Sequence, residues 1–222
     1  MQRHHIPTAK AKTFTEDELP AALDYLGSCS LPVVLKADGL AAGKGVVIVE
    51  NADEARRTIQ QFMESRTLGE AGSTLVIEEF LRGEEASFHV FADGLDFQPM
   101  VAAQDHKRRY DGDTGPNTGG MGAYSVDSIL SAQQHDAVLD CIIKPTLEAA
   151  KSYTGILYAG LMLTPQGAKL LEYNARFGDP ETQVILSRLE TSLLDVLVDI
   201  VEHRLSSRTL KWRTDAAATV VL

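Results

Sequence analysis

Apolar and polar positions along this chain fall into short blocks that predict strands and helices in mixed order. Pro32 to Ala37 is a β-branched run and predicts a strand; Val46 to Val49 predicts a second after a glycine-rich break. Asn51 and Glu54 stand at N-cap spacing, and Ala55, Ile59, Phe62 and Met63 recur on one helical face behind them. Upstream, Thr15 and Glu18 have capping-box spacing, and Pro20 fits the first turn of a helix running to Leu26. Thr74 to Phe80, Ala86 to Ala92 and Phe97 to Ala103 predict three strands, the last two joined by the hairpin signal Asp93-Gly94. Residues 104–124 are polar and glycine-rich, an irregular segment too long for a plain connector. A helix is expected from Ala132 to Lys151, then strands Leu157–Thr164 and Lys169–Phe177 around the turn Pro165-Gln166-Gly167. Two helices follow over 181–189 and 192–205, the second striped by Leu193, Leu194, Leu197, Val198 and Val201. There is no internal repeat. The element order places a boundary near Glu78–Leu81, dividing a smaller part, 1–78, from a larger one, 79–222.

Composition narrows the class of partner. The 222 residues are 44% hydrophobic and 23% charged, enough for a core without disulfide or metal staples. Asp and Glu (31) outnumber Lys and Arg (21), giving a net charge of −10. That argues against nucleic acid and anionic membranes, which need a basic face; a local cationic cluster can still meet a small phosphate ligand. Cys29 and Cys141 form neither a disulfide framework nor a metal spacing, which suits a reducing, cytoplasmic location. No apolar run approaches the ~20 residues of a membrane span. The opening Met1 to Pro7 is unlike a domain start, and the run Ala216 to Leu222 is apolar and strand-like, so the chain reads as a piece of something longer.

Four segments carry candidate chemistry. Lys36 to Gly45 is not a P-loop, since three residues separate Gly39 from Gly43 and a strand follows the loop rather than a helix. It is a strand–glycine-loop–strand hairpin with Lys36 and Lys44, able to fold over a polyphosphate or equally to stand in solvent. On the strand expected at 169–177, Glu172, Asn174 and Arg176 share a face by their i, i+2, i+4 spacing. The first two are hard oxygen donors suited to Mg²⁺, and the third is a fork for phosphate or carboxylate; a solvated sheet face would look the same. The segment from Gln104 to Gly122 sets Lys107, Arg108 and Arg109 before five glycines, which suits an anionic substrate, and its glycine and proline positions exclude an EF-hand. His106 is a possible base there, or simply a hydrogen-bonding loop residue. Finally, Glu78 to Glu85 is a strand leading into an acidic turn, able to meet a purine edge and ribose hydroxyls, or merely solvated.

Taken in this order and spacing, the features resemble the ATP-grasp fold, an α+β architecture of two lobes with the nucleotide bound between them. Within it they resemble the phosphoribosylamine–glycine ligase family. The residues that carry the likeness are Lys36 with GLAAGKGV, then EEFLRGEE, QDHKRRYDGDTGPNTGGMGAY, ILYAGLML and LEYNARFGDPETQ, spread from about Ile6 to the end. The resemblance implies ATP- and Mg²⁺-dependent (or Mn²⁺-dependent) joining of glycine to 5-phosphoribosylamine through glycyl phosphate. It implies that Lys36, Gly43, Lys44 and Gly45 meet the phosphates, with Lys44 on a mobile lid and, with Arg176, catalytic. Backbone atoms of Glu79 and Leu81 would read adenine, with Glu78 close by and Glu85 on the ribose. Glu172 and Asn174 would hold the metal. Asp105, His106, Lys107, Asp113, Asn117, Thr118, Gly119 and Asp179 would face the substrates. Leu161 stands where many ATP-grasp enzymes place a further metal carboxylate, and Val126 and Ala168 where this family often has proline. Family members carry N- and C-terminal domains beyond the span matched here, so the resemblance implies the central ATP-grasp portion. Another ATP-grasp carboxylate–amine ligase and a nucleotide-binding module without its own chemistry are the alternatives.

Overall fold

Two cores, built from separate stretches of the sequence, organise the computed structural model. It describes residues 1–39, 45–112 and 114–222. Gly43, Lys44 and Asp113, candidate site residues by sequence, lie outside the described residues. Cα packing divides the chain into Ala9–Leu81 and a second unit made of Met1–Thr8 with Arg82–Leu222.

The 9–81 unit contains β1 (Ala11–Thr15), α1 (Leu19–Leu26), β2 (Val33–Ala37), β3 (Val46–Val49), α2 (Ala52–Met63) and β4 (Thr74–Glu79). Its antiparallel sheet runs β1–β4–β2–β3. Asn51 caps α2, accepting from the Glu54 N–H at 2.8 Å, a cap worth about 1 kcal/mol. Phe14, Leu35, Ile59, Leu75 and Ile77 close the core between helices and sheet. Strand β1 was not expected from the sequence, because only Phe14 in it is buried. Its conformation comes from pairing with β4, Ala11 opposite Glu78 through Thr15 opposite Thr74.

The larger unit contains β5 (Glu84–Asp93), β6 (Phe97–Pro99), β7 (Gln104–Asp105), β8 (Arg108–Tyr110), β9 (Thr114–Asn117), β10 (Gly122–Ser125), α3 (Ala132–Val138), α4 (Lys144–Ala150), β11 (Thr154–Thr164), β12 (Gly167–Asn174), α5 (Glu181–Arg188), α6 (Leu193–Val201) and β13 (Ala217–Val220). A four-stranded antiparallel sheet runs β12–β11–β5–β6, and a second runs β13–β10–β7. One face of β5 and β11 sends Ala86, Phe88, Val90, Leu157, Ala159 and Leu161 into a core with Val138, Ile142 and Ile143. Leu161 is thus a core residue, fully buried. Met1–Thr8 joins this unit, in contrast to the 1–78 partition. Ile6 enters the same core, the Leu170 N–H donates to Pro7 O at 2.8 Å, and Thr8 Oγ1 donates to Leu170 O at 2.7 Å.

Three expectations change in detail. The helix expected over 132–151 opens into a π-type turn at Leu139–Ile143. Pro145, in the first turn of α4, has no N–H, and its ring would clash with the carbonyl four residues back. The segment 104–124 is ordered by β8 pairing with β9, and by β10 lying between β7 and β13. The strand expected over 169–177 stops at Asn174, where the chain turns toward α5, so Arg176 leaves the sheet face shared by Glu172 and Asn174.

Candidate active site

The face of the large sheet opposite the Phe88 core is polar, and register explains why. Antiparallel pairing sets Ser87 opposite Gly160 and His89 opposite Tyr158 on β11, while Gly160 and Tyr158 face Glu172 and Asn174 on β12. Residues that alternate on three strands therefore meet on one surface. Gly160 leaves room there, since a Cβ on it would lie 3.3 Å from Glu172 Cγ. Asn174 Nδ2 reaches Glu172 Oε1 at 3.5 Å, so the carboxylate and the amide lie side by side. Lys107, just past β7, places its ammonium 3.4 Å from Asp105 Oδ2 and 3.6 Å from Glu85 Oε2. Burial alone would push the Lys107 pKa down, but the carboxylates of Asp105, Glu85 and Glu172 together raise it. Burial raises that of Asp105, against the pull of Lys107. The structure therefore brings Glu85, Asp105, Lys107, Glu172 and Asn174 together.

Part of this same surface is a buried polar cluster that the sequence pattern did not single out. Ser87 Oγ donates to Glu181 Oε1 at 2.8 Å, and Tyr158 OH lies 3.1 Å from the same Oγ. Ser87 has one proton, already given to the carboxylate, so the Tyr158 hydroxyl is the donor of the second bond. His89 stacks on Tyr158 with ring centroids 4.4 Å apart. Burial and then Glu181 push the Tyr158 hydroxyl pKa up. The sequence signal for this layer was the alternation of Ser87 and His89 with Ala86, Phe88 and Val90, legible only once the other face proved apolar.

The remaining candidates are more dispersed. Thr118 is tied to Lys107, its N–H and Oγ1 both donating to Lys107 O at 2.7 and 2.9 Å. His106 is exposed and stacks on Tyr124, with its N–H bonded to Gly122 O at 2.9 Å. Asn117 pairs across the hairpin from Arg108, and Gly119 is exposed. Arg176 Nη1 donates to Phe177 O at 2.8 Å, and Asp179 Oδ1 accepts from Gln183 Nε2 at 2.8 Å at the start of α5. In the 9–81 unit, Lys36 Nζ pairs with Glu78 Oε2 at 2.6 Å. Gly45 O accepts from Ala37 N–H at 2.8 Å and Leu81 is buried. The Glu79 N–H donates to Lys10 O at 2.9 Å.

A carboxylate and an amide oxygen side by side, next to an ammonium, form a donor set that fits a hard divalent ion sharing its shell with phosphate oxygens and water. Among the described residues no group of three or more His, Cys, Asp or Glu side chains could hold a metal by itself. A cavity of about 240 Å³ opens beside Glu85, Gln104 and Tyr124. A larger one, about 530 Å³ beside Phe97, Lys144 and Tyr153, is lined by none of the candidate residues. Chemistry, rather than volume, therefore locates the site.

Residues 1–182 match the family model of the phosphoribosylglycinamide synthetase ATP-grasp (A) domain. The chain belongs to this family. Phosphoribosylamine–glycine ligases of Pasteurella multocida and Pseudomonas aeruginosa are 47% and 50% identical to it, each match covering all of this chain and 52% of the relative. A crystal structure of phosphoribosylamine–glycine ligase from Thermotoga maritima superposes with a TM-score of 0.85 at 31% identity, over 99% of this chain and 56% of that one. Biotin carboxylase from Campylobacter jejuni, solved as a β,γ-ATP complex, shares the fold at 17% identity and a TM-score of 0.74, over 98% of this chain and 47% of that one. The chain spans about half the length of the curated relatives it matches. As an α+β member of the ATP-grasp family, it places Glu172 and Asn174 on the antiparallel sheet of its larger unit.

Proposed function

We propose that this chain is the ATP-grasp portion of a phosphoribosylamine–glycine ligase, working with further domains of the same protein in the cytoplasm. The observation that carries the proposal is the meeting of Glu85, Asp105 and Lys107 with Glu172 and Asn174 on one polar sheet surface. The reaction joins glycine to 5-phosphoribosylamine at the expense of ATP. The glycine carboxylate takes the γ-phosphoryl group, ADP leaves, and the amine then displaces phosphate to give glycinamide ribonucleotide. A free carboxylate resists attack by an amine at neutral pH, and phosphorylation supplies the leaving group.

Glu172 and Asn174 would hold Mg²⁺ or Mn²⁺, which when bound neutralises charge on phosphate oxygens. Lys36 and Lys44 bind phosphates, backbone atoms of Glu79 and Leu81 read adenine beside Glu78, and Glu85 takes the ribose. Gly43 and Gly45 let the lid hairpin approach the phosphates. Arg176 stabilises the transferred phosphoryl group, and Asp179 with Asp105, His106, Lys107, Asp113, Asn117, Thr118 and Gly119 orients the substrates. Catalysis on this reading is positioning and electrostatic neutralisation. The test measures ADP release from the protein at its natural length, with glycine and phosphoribosylamine added singly and together. Release only with both supports the ligase; release with other carboxylates and amines instead points to another ATP-grasp ligase. Because the chain spans half its relatives' length, a second reading is that the 222-residue piece binds ATP without turnover. Calorimetric ATP binding without ADP release by that piece identifies it.

A further inference from the structure

The turn between β12 and α5 carries both Arg176 and Asp179, and its central residue, Gly178, is clamped from several sides. Thr182 donates to Gly178 O through both N–H and Oγ1. A Cβ on Gly178 would lie 2.5 Å from Glu181 Oε2, so the Glu181 carboxylate packs directly against this residue. The Gly178 N–H donates to Nε2 of His89 at 3.1 Å, across 89 positions of sequence. His89 is fully buried, stacked on Tyr158, and its own backbone is fixed in β5. An N–H donor requires Nε2 to hold the lone pair, so His89 is the neutral tautomer with its proton on Nδ1. Among the described residues that Nδ1 has no hydrogen-bond partner. The imidazole therefore keeps one unsatisfied buried group while serving the Gly178 amide with the other, a choice an apolar residue in a plain core would not entail. Burial, with Arg176 adding to it and Glu181 opposing, lowers its pKa to about 4, so the acceptor persists at neutral pH.

We propose that His89 is a positioning residue: by accepting the Gly178 amide proton at Nε2, it fixes the turn that carries Arg176 and Asp179. The inference rests on the ligase reading for the roles of Arg176 and Asp179, but the anchoring itself does not. A misplacement of about 1 Å at a reacting centre can cost 10²-fold in rate, which sets the scale of the effect. His89→Phe keeps the stack on Tyr158 and removes the acceptor; His89→Gln restores an oxygen acceptor at the Nε2 position. In the protein at its natural length, His89→Phe should lower kcat about 10- to 100-fold with the KM for ATP little changed, and His89→Gln should recover most of the loss. A purely structural role would lower Tm in both and leave the kcat of the folded protein alone. Wild-type kcat in His89→Phe, or no recovery in a folded His89→Gln, would overturn the proposal. Should the variants fail to fold, ¹⁵N-histidine NMR of the wild type decides. Nε2 unprotonated and Nδ1 protonated at pH 7, with a slowly exchanging Gly178 amide, supports the anchor; a proton on Nε2 overturns it. Absence of ATP-dependent turnover in the wild type would refute the ligase reading, and the tautomer would still decide whether His89 holds Gly178.

Discussion

Asp93 ends β5 at the tip of the hairpin to β6 and is fully buried, yet it lies outside the candidate site. Its Oδ1 accepts from the N–H groups of Leu95 and Asp96 at 2.9 and 2.7 Å, and its Oδ2 from the Leu205 N–H at 2.9 Å. One carboxylate thus holds the β5–β6 turn and the chain leaving α6. Replacing it with alanine strands three backbone donors. Leu205 is itself fully buried, so that N–H loses a charge-assisted bond worth about 1.5–3 kcal/mol. The two turn amides can be reached by water, and about 0.5–1.5 kcal/mol each is the appropriate scale. The sum is a loss of about 2.5–6 kcal/mol, or a fall in Tm on the order of 10 °C for a chain of this size. Trp212, the sole tryptophan, packs against the cluster that includes Leu205, so its fluorescence in a urea titration follows the unit in question. Asp93→Asn keeps one oxygen for the turn amides and turns an NH₂ toward Leu205, so it should lose only the buried bond, about 1.5–3 kcal/mol. Burial alone would push the carboxyl pKa up, but the three N–H bonds, aided by His203, outweigh it and hold the pKa below its ordinary range. A folded pKa below the unfolded one means the stabilisation is complete above an unfolded value of about 3.9 and fades as pH falls through the folded value. The gap between wild type and Asp93→Ala should therefore narrow in acid. A variant within about 1 kcal/mol of wild type at pH 7, or an asparagine as damaging as alanine, would refute the accounting.

Glu172→Ala in the protein at its natural length should nearly abolish turnover, by about 10²–10³-fold or more, while leaving its circular dichroism unchanged; near-normal activity would remove it from the metal set. Lys44→Ala should weaken ATP binding in calorimetry and slow the phosphoryl step, and unchanged kinetics would exclude a closing lid. Arg188, buried, donates to Ser125 Oγ at 2.9 Å and to Arg213 O from Nε and Nη2 at 3.2 and 2.9 Å, and pairs with Asp127. Arg188→Met should cost about 3 kcal/mol in the Trp212-monitored transition, since it breaks several charge-assisted bonds at once. Gly120→Ala, at φ +124° with a Cβ destined 2.6 Å from Pro180 Cδ, should lower Tm and loosen the 104–124 segment in hydrogen exchange.

The Asn51 cap of α2, the hairpin at Asp93-Gly94 and the strands around Val34, Ile77, Phe88 and Leu161 were legible in the sequence, because each carries a pattern within a few positions. Glu172 and Asn174 were legible as a pair for the same reason: two residues apart on a strand, they share a face by geometry alone. Arg176 was expected on that face as well, but β12 ends at Asn174, where the chain turns toward α5. Strand β1 escaped notice because a strand with one buried residue carries almost no pattern, and β4 supplies the hydrogen bonds that make it one.

Residue types and their local spacing determined the fold class, the family likeness and the donor chemistry, since φ/ψ preference and side-chain period act over a few residues. Tertiary structure alone decided which polar residues meet. Register between β5, β11 and β12 sets Ser87, Tyr158 and His89 on the same face as Glu172 and Asn174, and α5 delivers Glu181 from almost a hundred residues away. Register is a cooperative outcome of core packing on the opposite face, where one residue of slip would exchange the Phe88 core for the polar surface. No local stretch of sequence contains that information, and the His89–Gly178 hydrogen bond joins residues 89 positions apart within the larger unit.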